Sequence, residues 1–358
     1  MSTATANGGN QPTILTLYLD SMDGQPAAEI VVSGTGSWTN YQTVEFDVDE
    51  NLFKGKHTLY VKFTGGNLYC CNMMWMRFYN SANPEIPAEE DNLPLHYTRG
   101  CNVMDQQGTN IDLARETAAK ADVVIFTAGT NLQVMDEGHD RNSIALPGDQ
   151  LKVLKAIYEA NPNVILLLES ASSLDVTWAQ ENVPAILEAW YGGQAQGEAI
   201  ASVLYGEFNP SGKLTSTWYK SDAELGDITD YDIRSSKRTY MYYDKTPLYP
   251  FGYGLSYTDF EYSNLSLSTD NLGKDETLTV TFDVKNTGER DGAEVVQLYT
   301  HACSAIERPI KELKGFERVE LKAGETKTVT LPLRHDQLRY FNPTTHTYDV
   351  ENGNVDIM

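Results

Sequence analysis

Long hydrophobic runs are missing from this sequence of 358 residues. No apolar stretch approaches the ~20 residues that a membrane-spanning helix requires. The first residues, MSTATANGGNQP, contain neither the basic segment nor the apolar core of a signal peptide. The sequence therefore predicts no association with a membrane. It also predicts either a cytoplasmic protein or a natural start upstream of Met1.

Basic residues are scarce as well: 27 lysines and arginines stand against 50 aspartates and glutamates, for a net charge of −23 at pH 7. The electrostatic field of a protein with this negative charge repels polyanions, so nucleic acid is not expected as a partner. Cysteine is also rare, and the four cysteines form no C-x-x-C pair and have no clustered histidines beside them. This pattern predicts neither a disulfide framework nor a zinc site, and we expect no metal and no cofactor.

The hydrophobic pattern divides the chain into parts. In HTLYVKFTG the apolar residues Leu59, Val61 and Phe63 share one face, and TILTLYLDS alternates in the same way. This period of two is typical of an antiparallel β-module, which we assign to residues 1–82. The polar, proline-bearing stretch NPEIPAEEDNLP then forms a linker over residues 83–94.

Residues 95–258 follow a different pattern. Apolar strand candidates (ADVVIFTAGT, NVILLLES, PAILEAWYGGQ) alternate with helical ones (NIDLARETAAK, DQLKVLKAIYEANP, GEAIASVLYGEF). The alternation predicts an α/β domain with a mainly parallel sheet that is apolar on both faces. Residues 259–358 return to short alternating strands, as in TLTVTFDVKNTG, which predict a β-sandwich.

One loop of the α/β domain carries clustered carboxylates. The stretch VMDEGHDRNSIALPGDQ places Asp136, Glu137 and Asp140 around a glycine and a histidine. Acidic residues ahead of a helix stabilise its N-terminus, so one explanation is purely structural. The other is chemical, because the stretch follows the strand ADVVIFTAGT and loops at the carboxyl ends of parallel strands carry active sites.

Several of these stretches together resemble a known family. ADVVIFTAGT, EGHDRNSIALPGDQ, VPAILEAWYGGQAQGEAIASVLYGEFNPSGKL, RTYMYY and PLYPFGYGLSYTDF resemble, in this order, the second domain of family 3 glycoside hydrolases. VKNTGERDGAEVVQLYT and RPIKELKGFERVELKAGETKTVTL resemble the fibronectin type III-like domain that follows it. TLYLDSMDGQPAAEIVVSGTGSWTNYQTVEFDV, GKHTLYVKFTGG and CNMMWMRFYN are similar to the later half of a family 6 carbohydrate-binding module, a β-jelly roll.

The resemblance implies a multi-domain fold: a partial β-jelly roll, an α/β sandwich domain with a mainly parallel sheet, and a fibronectin type III-like β-sandwich. It implies the C-terminal portion of a retaining, exo-acting β-glycosidase that acts on plant cell-wall xylo- or gluco-oligosaccharides, with β-xylosidase favoured over β-glucosidase. The family's N-terminal barrel domain carries the nucleophile and is expected as a partner, so this chain alone is expected to be inactive. Full-length relatives are usually secreted or periplasmic. The alternative is a non-catalytic carbohydrate-binding or accessory protein.

The resemblance also assigns roles to residues. Glu137 matches the glutamate of an E-G-x-D-R pattern that commonly acts as general acid/base. Asp140 and Arg141 are expected to pair and to hold the shape of the loop. The remaining candidates are expected to bind substrate, Trp38 by stacking on a sugar ring and Asn72 by hydrogen bonds, together with His139 and Arg238.

Overall fold

The strands of the N-terminal region form two antiparallel sheets. The computed structural model describes residues 2–8, 11–36, 42–49, 51–54, 57–65, 72–77, 95–104, 109–138 and 140–358. It divides into two compact units, Met1–Pro94 and Leu95–Met358. Within the described residues, no helix is long and apolar enough to cross a membrane.

In the first unit, the sheet orders are β4-β1-β6 and β3-β2-β5. The strands are β1 (Ser2–Ala6), β2 (Thr13–Leu19), β3 (Ala28–Val32), β4 (Gln42–Glu45), β5 (Leu59–Gly65) and β6 (Asn72–Arg77). Leu15 and Leu17 of β2 are fully buried, and Val44 and Met76 of the other sheet pack against their cluster. Phe63, expected on the buried face, is instead 37% exposed, whereas Leu59 and Val61 of the same strand pack against the cluster.

A three-stranded parallel sheet in the order β7-β8-β9 forms the centre of the second unit. The strands are β7 (Val124–Gly129), β8 (Val164–Glu169) and β9 (Ala185–Glu188). Both pairings are parallel, which confirms the predicted strand direction. Val164, Leu166 and Leu168 of the central strand are fully buried. The edge strand β7 differs from the expectation, since Ile125 on its outer face is 47% exposed.

Helices precede, separate and follow the strands of this sheet along the chain. They are α1 (Ile111–Ala119), α2 (Gln150–Ala160), α3 (Thr177–Asn182), α4 (Gln196–Leu204) and α5 (Thr239–Tyr242). Helix α1 begins after Asn110, whose side-chain oxygen accepts the N–H of Leu113. The buried residues of α2 include Val153, Leu154 and Ile157, as its 3.6-residue pattern predicts. They pack with β8 in one hydrophobic core.

The C-terminal part is a β-sandwich. One sheet has the order β10-β11-β14 and the other β13-β12-β17, and β15 and β16 form a hairpin. The strands are β10 (Phe260–Leu267), β11 (Thr277–Asn286), β12 (Gly292–Ala302), β13 (Glu312–Leu321), β14 (Thr326–Arg334), β15 (Tyr340–Asn342), β16 (Thr347–Asp349) and β17 (Val355–Ile357). The alternating residues Leu278, Val280 and Val284 of β11 pack against Val296 and Leu298 of β12.

Polar contacts join the α/β part to this sandwich. Lys213 Nζ lies 3.0 Å from Glu294 Oε1, and the side chains of this ion pair are only 14% and 12% exposed. The same ammonium group donates to the carbonyl of Gly254. Gln297 Nε2 donates to the carbonyl of Gly252 at 3.0 Å. The two parts of the second unit therefore share an interface with defined geometry.

Candidate functional site

The three parallel strands end at one edge of the sheet, with Gly129, Glu169 and Glu188 as their last residues. Gly129 has a φ of +148°, and a Cβ added there would lie 2.0 Å from the carbonyl oxygen of Glu169. The buried amide of Gln150 accepts the Gly129 N–H at 2.7 Å and donates to its carbonyl at 2.9 Å. The start of α2 is thereby fixed to the end of β7.

The loop between β7 and α2 carries Glu137. At its start, the Asn131 side-chain oxygen accepts the N–H groups of Gln133 and Val134 at 3.0 and 3.2 Å. Glu137 follows in a turn completed by Gly138, whose φ is +89°, and its side chain is exposed to solvent. Helix α2 begins only at Gln150, and its first turn contains no acidic residue. The capping explanation of the carboxylate cluster is therefore wrong.

Hydrogen bonds fix the second half of this loop, residues 140–144, which leads back towards α2. Arg141 Nη2 donates to Ser172 Oγ at 2.7 Å and to the Ser173 carbonyl at 3.0 Å. Burial lowers the pKa of Arg141, and the neighbouring Tyr191 and Asp222 oppose that shift. The expected pairing of Asp140 with Arg141 is not found among the contacts of the described residues: the guanidinium group donates to the Ser172–Ser173 segment instead.

Asp222 fixes the next two residues of the loop, Ser143 and Ile144. The Ser143 hydroxyl group and the Ile144 N–H group each donate to the carboxylate of Asp222 at 2.7 Å. These two bonds, with the Ser143 bond first, lower the pKa of Asp222. A carboxylate that accepts two hydrogen bonds is favoured in its ionised form. Residues 141–144 of the loop are thus fixed by hydrogen bonds to two other segments, one containing Ser172 and one containing Asp222.

Glu188 is a mostly buried carboxyl group at the end of β9. It accepts the N–H of Trp190 at 3.0 Å, and the Ser170 hydroxyl group lies 3.2 and 3.3 Å from its two oxygens. Burial raises the pKa of Glu188 to about 7, although these hydrogen bonds oppose the shift. Trp190 has a φ of +55°, an unusual conformation for an aromatic residue. Sequence reasoning missed Glu188; its only signal was a lone acid within the apolar run PAILEAWY.

Further polar groups complete this edge. Thr130 and Tyr191 share a hydrogen bond of 2.6 Å between their side-chain oxygens, and Gln196 Nε2 donates to Glu169 Oε1 at 2.5 Å. The edge therefore combines a solvent-accessible carboxyl group, Glu137, with a fixed polar framework below it. Such an arrangement can exchange a proton with a bound molecule.

Comparison with known proteins shows the family to which this chain belongs. Residues 16–257 match the glycosyl hydrolase family 3 C-terminal domain. The chain belongs to glycosyl hydrolase family 3. Residues 294–358 match the fibronectin type III-like domain, in agreement with the β-sandwich of the second unit.

Relatives in this family include enzymes with two sugar specificities. The chain is 37% identical to a β-xylosidase of Formosa agariphila over 70% of its own length and 35% of the relative's. It is also 37% identical to thermostable β-glucosidase B of Acetivibrio thermocellus, over 74% of the chain and 37% of the relative. The chain thus spans about a third of these relatives. A solved β-glucosidase from Kluyveromyces marxianus matches 99% of this chain and 41% of its own at 26% identity, with a TM-score of 0.64.

Of the residues that the resemblance assigns to substrate binding, Arg238 alone has a side chain in the described part of the structure. Arg238 precedes α5, and its Nε donates to the Leu225 carbonyl at 3.0 Å, so part of its guanidinium group binds a neighbouring loop. Asn72 begins β6 in the first unit, and its side chain is not described. Trp38 and His139 lie outside the described residues. No group of three His, Cys, Asp or Glu side chains suited to a metal ion occurs in the described part of the chain.

Proposed function

We propose that this chain is the C-terminal part of a retaining, exo-acting β-glycosidase in which Glu137 is the general acid/base. The observation that carries the proposal is the position of Glu137: an exposed carboxyl group on a loop anchored at the carboxyl edge of a parallel sheet. Active sites of α/β folds collect at that edge. The membership of family 3 supports the same role.

Glu137 supplies one half of the required chemistry. Retaining glycosidases use two carboxyl groups about 5–5.5 Å apart, one as nucleophile and one as acid and then base. We assign the nucleophile to an N-terminal barrel domain outside this chain, which spans about a third of its curated relatives. Glu137 then protonates the departing glycosidic oxygen and later removes a proton from the attacking water.

An exposed apolar surface supports a further domain as partner. The larger apolar residues of helix α4, Ile200, Val203 and Leu204, are only half-buried. Tyr205, directly after this helix, is 84% exposed, and Phe208 is 50% exposed. Large apolar patches on a soluble protein mark interaction surfaces. We assign this surface to contact with the barrel domain.

We propose β-xylosides as preferred substrates and β-glucosides as the second choice, released from xylo- or gluco-oligosaccharides of plant cell walls. Relatives named as β-xylosidase and as β-glucosidase are equally similar to this chain, so assays with both sugars decide the order. His139 and Arg238 are assigned to substrate contacts in this proposal. The assigned α/β domain covers residues 95–258, and the fibronectin type III-like domain covers residues 259–358.

For the first unit we propose a role in carbohydrate binding. Its two packed antiparallel sheets are compatible with a partial β-jelly roll over residues 1–82, followed by a linker over 83–94. Trp38 would stack on a sugar ring, and the Asn72 amide would orient its hydroxyl groups. Affinity electrophoresis on xylan and glucan gels, with Trp38→Ala as the comparison, tests this part.

The test of the acid/base role compares leaving groups. In the protein encoded by the complete gene, Glu137→Gln should lower kcat on aryl β-xylosides with poor leaving groups by about 10²–10⁴-fold, because these need protonation. Hydrolysis of 4-nitrophenyl β-xyloside should fall much less in its glycosylation step. Asp140→Asn removes a neighbouring exposed acid and is the matched control. Equal losses on both substrates would reject the role of Glu137.

The accessory-protein alternative makes a different prediction for the same assay. If the complete gene encodes no domain with a nucleophile, neither substrate is hydrolysed and Glu137→Gln changes nothing. Retention on polysaccharide gels would then be the only activity. Measuring hydrolysis and retention on one preparation separates the two functions.

A further inference from the structure

Glu188 is a mostly buried acid that the proposed reaction does not use. Its carboxyl group lies at the end of β9, and in the described part of the chain no charged group is among the causes that shift its pKa. Its hydrogen-bond partners are instead the Trp190 N–H, the Ser170 hydroxyl group and the Ser170 backbone. A buried carboxyl group without a cation costs stability, so its presence calls for an explanation.

Ser170 connects Glu188 to the next segment of the chain. The residue is fully buried, and its Oγ lies 2.9 Å from the carbonyl oxygen of Ser172 as well as 3.2 Å from Glu188 Oε1. A serine hydroxyl group has one hydrogen and can accept from another donor. When Glu188 is protonated, its O–H can donate to Ser170, whose own hydrogen is then available to the Ser172 carbonyl.

Ser172 contacts both arms of the loop that carries Glu137. Its Oγ accepts a hydrogen bond from Arg141 Nη2 at 2.7 Å and lies 4.0 Å from Met135 Sδ. Met135 precedes the turn that contains Glu137, and Arg141 follows it. A continuous series of contacts therefore runs from Glu188 through Ser170 and Ser172 to both sides of that turn.

We propose that Glu188 is a positioning residue: through the Ser170 hydroxyl group it holds the Ser172–Ser173 segment against Met135 and Arg141, and so fixes the place of the Glu137 carboxyl group. This inference rests on the proposed role of Glu137 and extends it to a residue that does not touch substrate. A misplacement of about 1 Å at a catalytic group can cost about 10²-fold in rate. The buried network below the loop is thus part of the conditions for acid catalysis.

The first experiment measures the loop directly. Hydrogen–deuterium exchange is followed over residues 131–146 in the full-length protein. Ser170→Ala and Glu188→Ala should each accelerate exchange in this segment about tenfold, because the held segment opens more often. At pH 5, where the Glu188 carboxyl group with its pKa of about 7 keeps its proton, Glu188→Gln should exchange as the wild type does, since its amide can donate to Ser170 and accept from Trp190. Ser266→Ala on β10 of the β-sandwich is the control for a serine outside the network.

The second experiment uses the two classes of leaving group. Ser170→Ala should lower kcat on aryl β-xylosides with poor leaving groups by about 10- to 100-fold. It should leave KM and the hydrolysis of 4-nitrophenyl β-xyloside within about threefold, and Glu188→Gln should retain wild-type kcat. A merely structural role would lower both rates together.

The results separate this inference from the proposed function. Unchanged exchange in Ser170→Ala and Glu188→Ala overturns the positioning role whatever the protein hydrolyses. Faster exchange without selective loss on poor leaving groups overturns the link to Glu137 when Glu137→Gln itself is selective. If Glu137→Gln is not selective, the acid/base role has failed, and the exchange data alone decide whether Glu188 holds the loop.

Discussion

At the scale of single residues, Glu188 and Glu137 are carboxyl groups in opposite environments: Glu188 is mostly buried and its pKa is raised to about 7, whereas Glu137 is exposed to solvent. The sequence around Glu188 shows only an acid within an apolar run, because its burial depends on the fold. Glu137 could be identified because a contiguous motif carries it. The partner of Arg141 could not be predicted, since Ser172 lies on another loop of the sheet edge.

Replacement of Glu188 by glutamine should change how stability depends on pH. Folding raises the pKa of Glu188 from 4.5 to about 7, so the folded state binds its proton more tightly than the unfolded state does. The stability contributed by the protonated group is fully present below pH 4.5 and is lost as the pH rises to about 7 and beyond. A shift of this size is worth about 3 kcal/mol.

Urea unfolding at several pH values tests this expectation. Relative to the wild type, Glu188→Gln should gain about 3 kcal/mol in unfolding free energy between pH 4.5 and pH 8, because glutamine does not ionise. Glu181→Gln, at an exposed site on α3, controls for the loss of one negative charge. Parallel stability curves for the wild type and Glu188→Gln would contradict the raised pKa.

At the scale of elements, the spacing of apolar residues predicted the strands and helices well. Each element buries one face, and the residues of that face recur at a fixed spacing in the sequence. The predicted helical stretch DQLKVLKAIYEANP corresponds to α2, with Leu154 and Ile157 buried. Periodicity could not show that β7 lies at the edge of its sheet, because strand order depends on contacts remote in sequence. For the same reason, the sequence could not show that the backbones of β7 and β8 approach closely at Gly129.

That close approach leads to a prediction about Gly129. A methyl group there would meet the Glu169 carbonyl oxygen at 2.0 Å, and the φ of +148° is one that other residues rarely adopt. Gly129→Ala should therefore lower the unfolding free energy by more than about 3 kcal/mol. In contrast, Gly197→Ala in α4 has open space around it and should stabilise by about 0.5–1 kcal/mol. Thermal denaturation of both variants measures the difference, and similar midpoints would refute the argument.

At the scale of the whole molecule, the ion pair of Lys213 and Glu294 joins the α/β part of the second unit to the β-sandwich. The hydroxyl group of Tyr262 also donates to Glu294, at 3.2 Å. Sequence alone predicted both parts but not their contact, because the two residues lie in different predicted domains. Their low exposure makes the pair sensitive to loss of one partner.

Lys213→Met should destabilise the second unit by about 3–5 kcal/mol, since it leaves the Glu294 carboxylate buried without its cation. The double variant Lys213→Met/Glu294→Gln should recover much of that loss. Arg318→Met, which breaks an exposed pair with Glu320, should cost less than about 1 kcal/mol. Calorimetry gives all three values, and an equal loss in the single and double variants would show that the charge is not the cause.

The exposed outer face of β7 has a consequence for handling and synthesis of the protein. In the described part of the chain, this strand is the last of the parallel sheet on its side, and Ile125 in it and Val123 just before it are nearly half exposed. An unpaired, apolar strand edge is a template on which other chains can add. Self-association should thus grow with concentration wherever this edge stays uncovered, and newly made chains would depend on chaperones or on rapid burial of β7 to avoid aggregation.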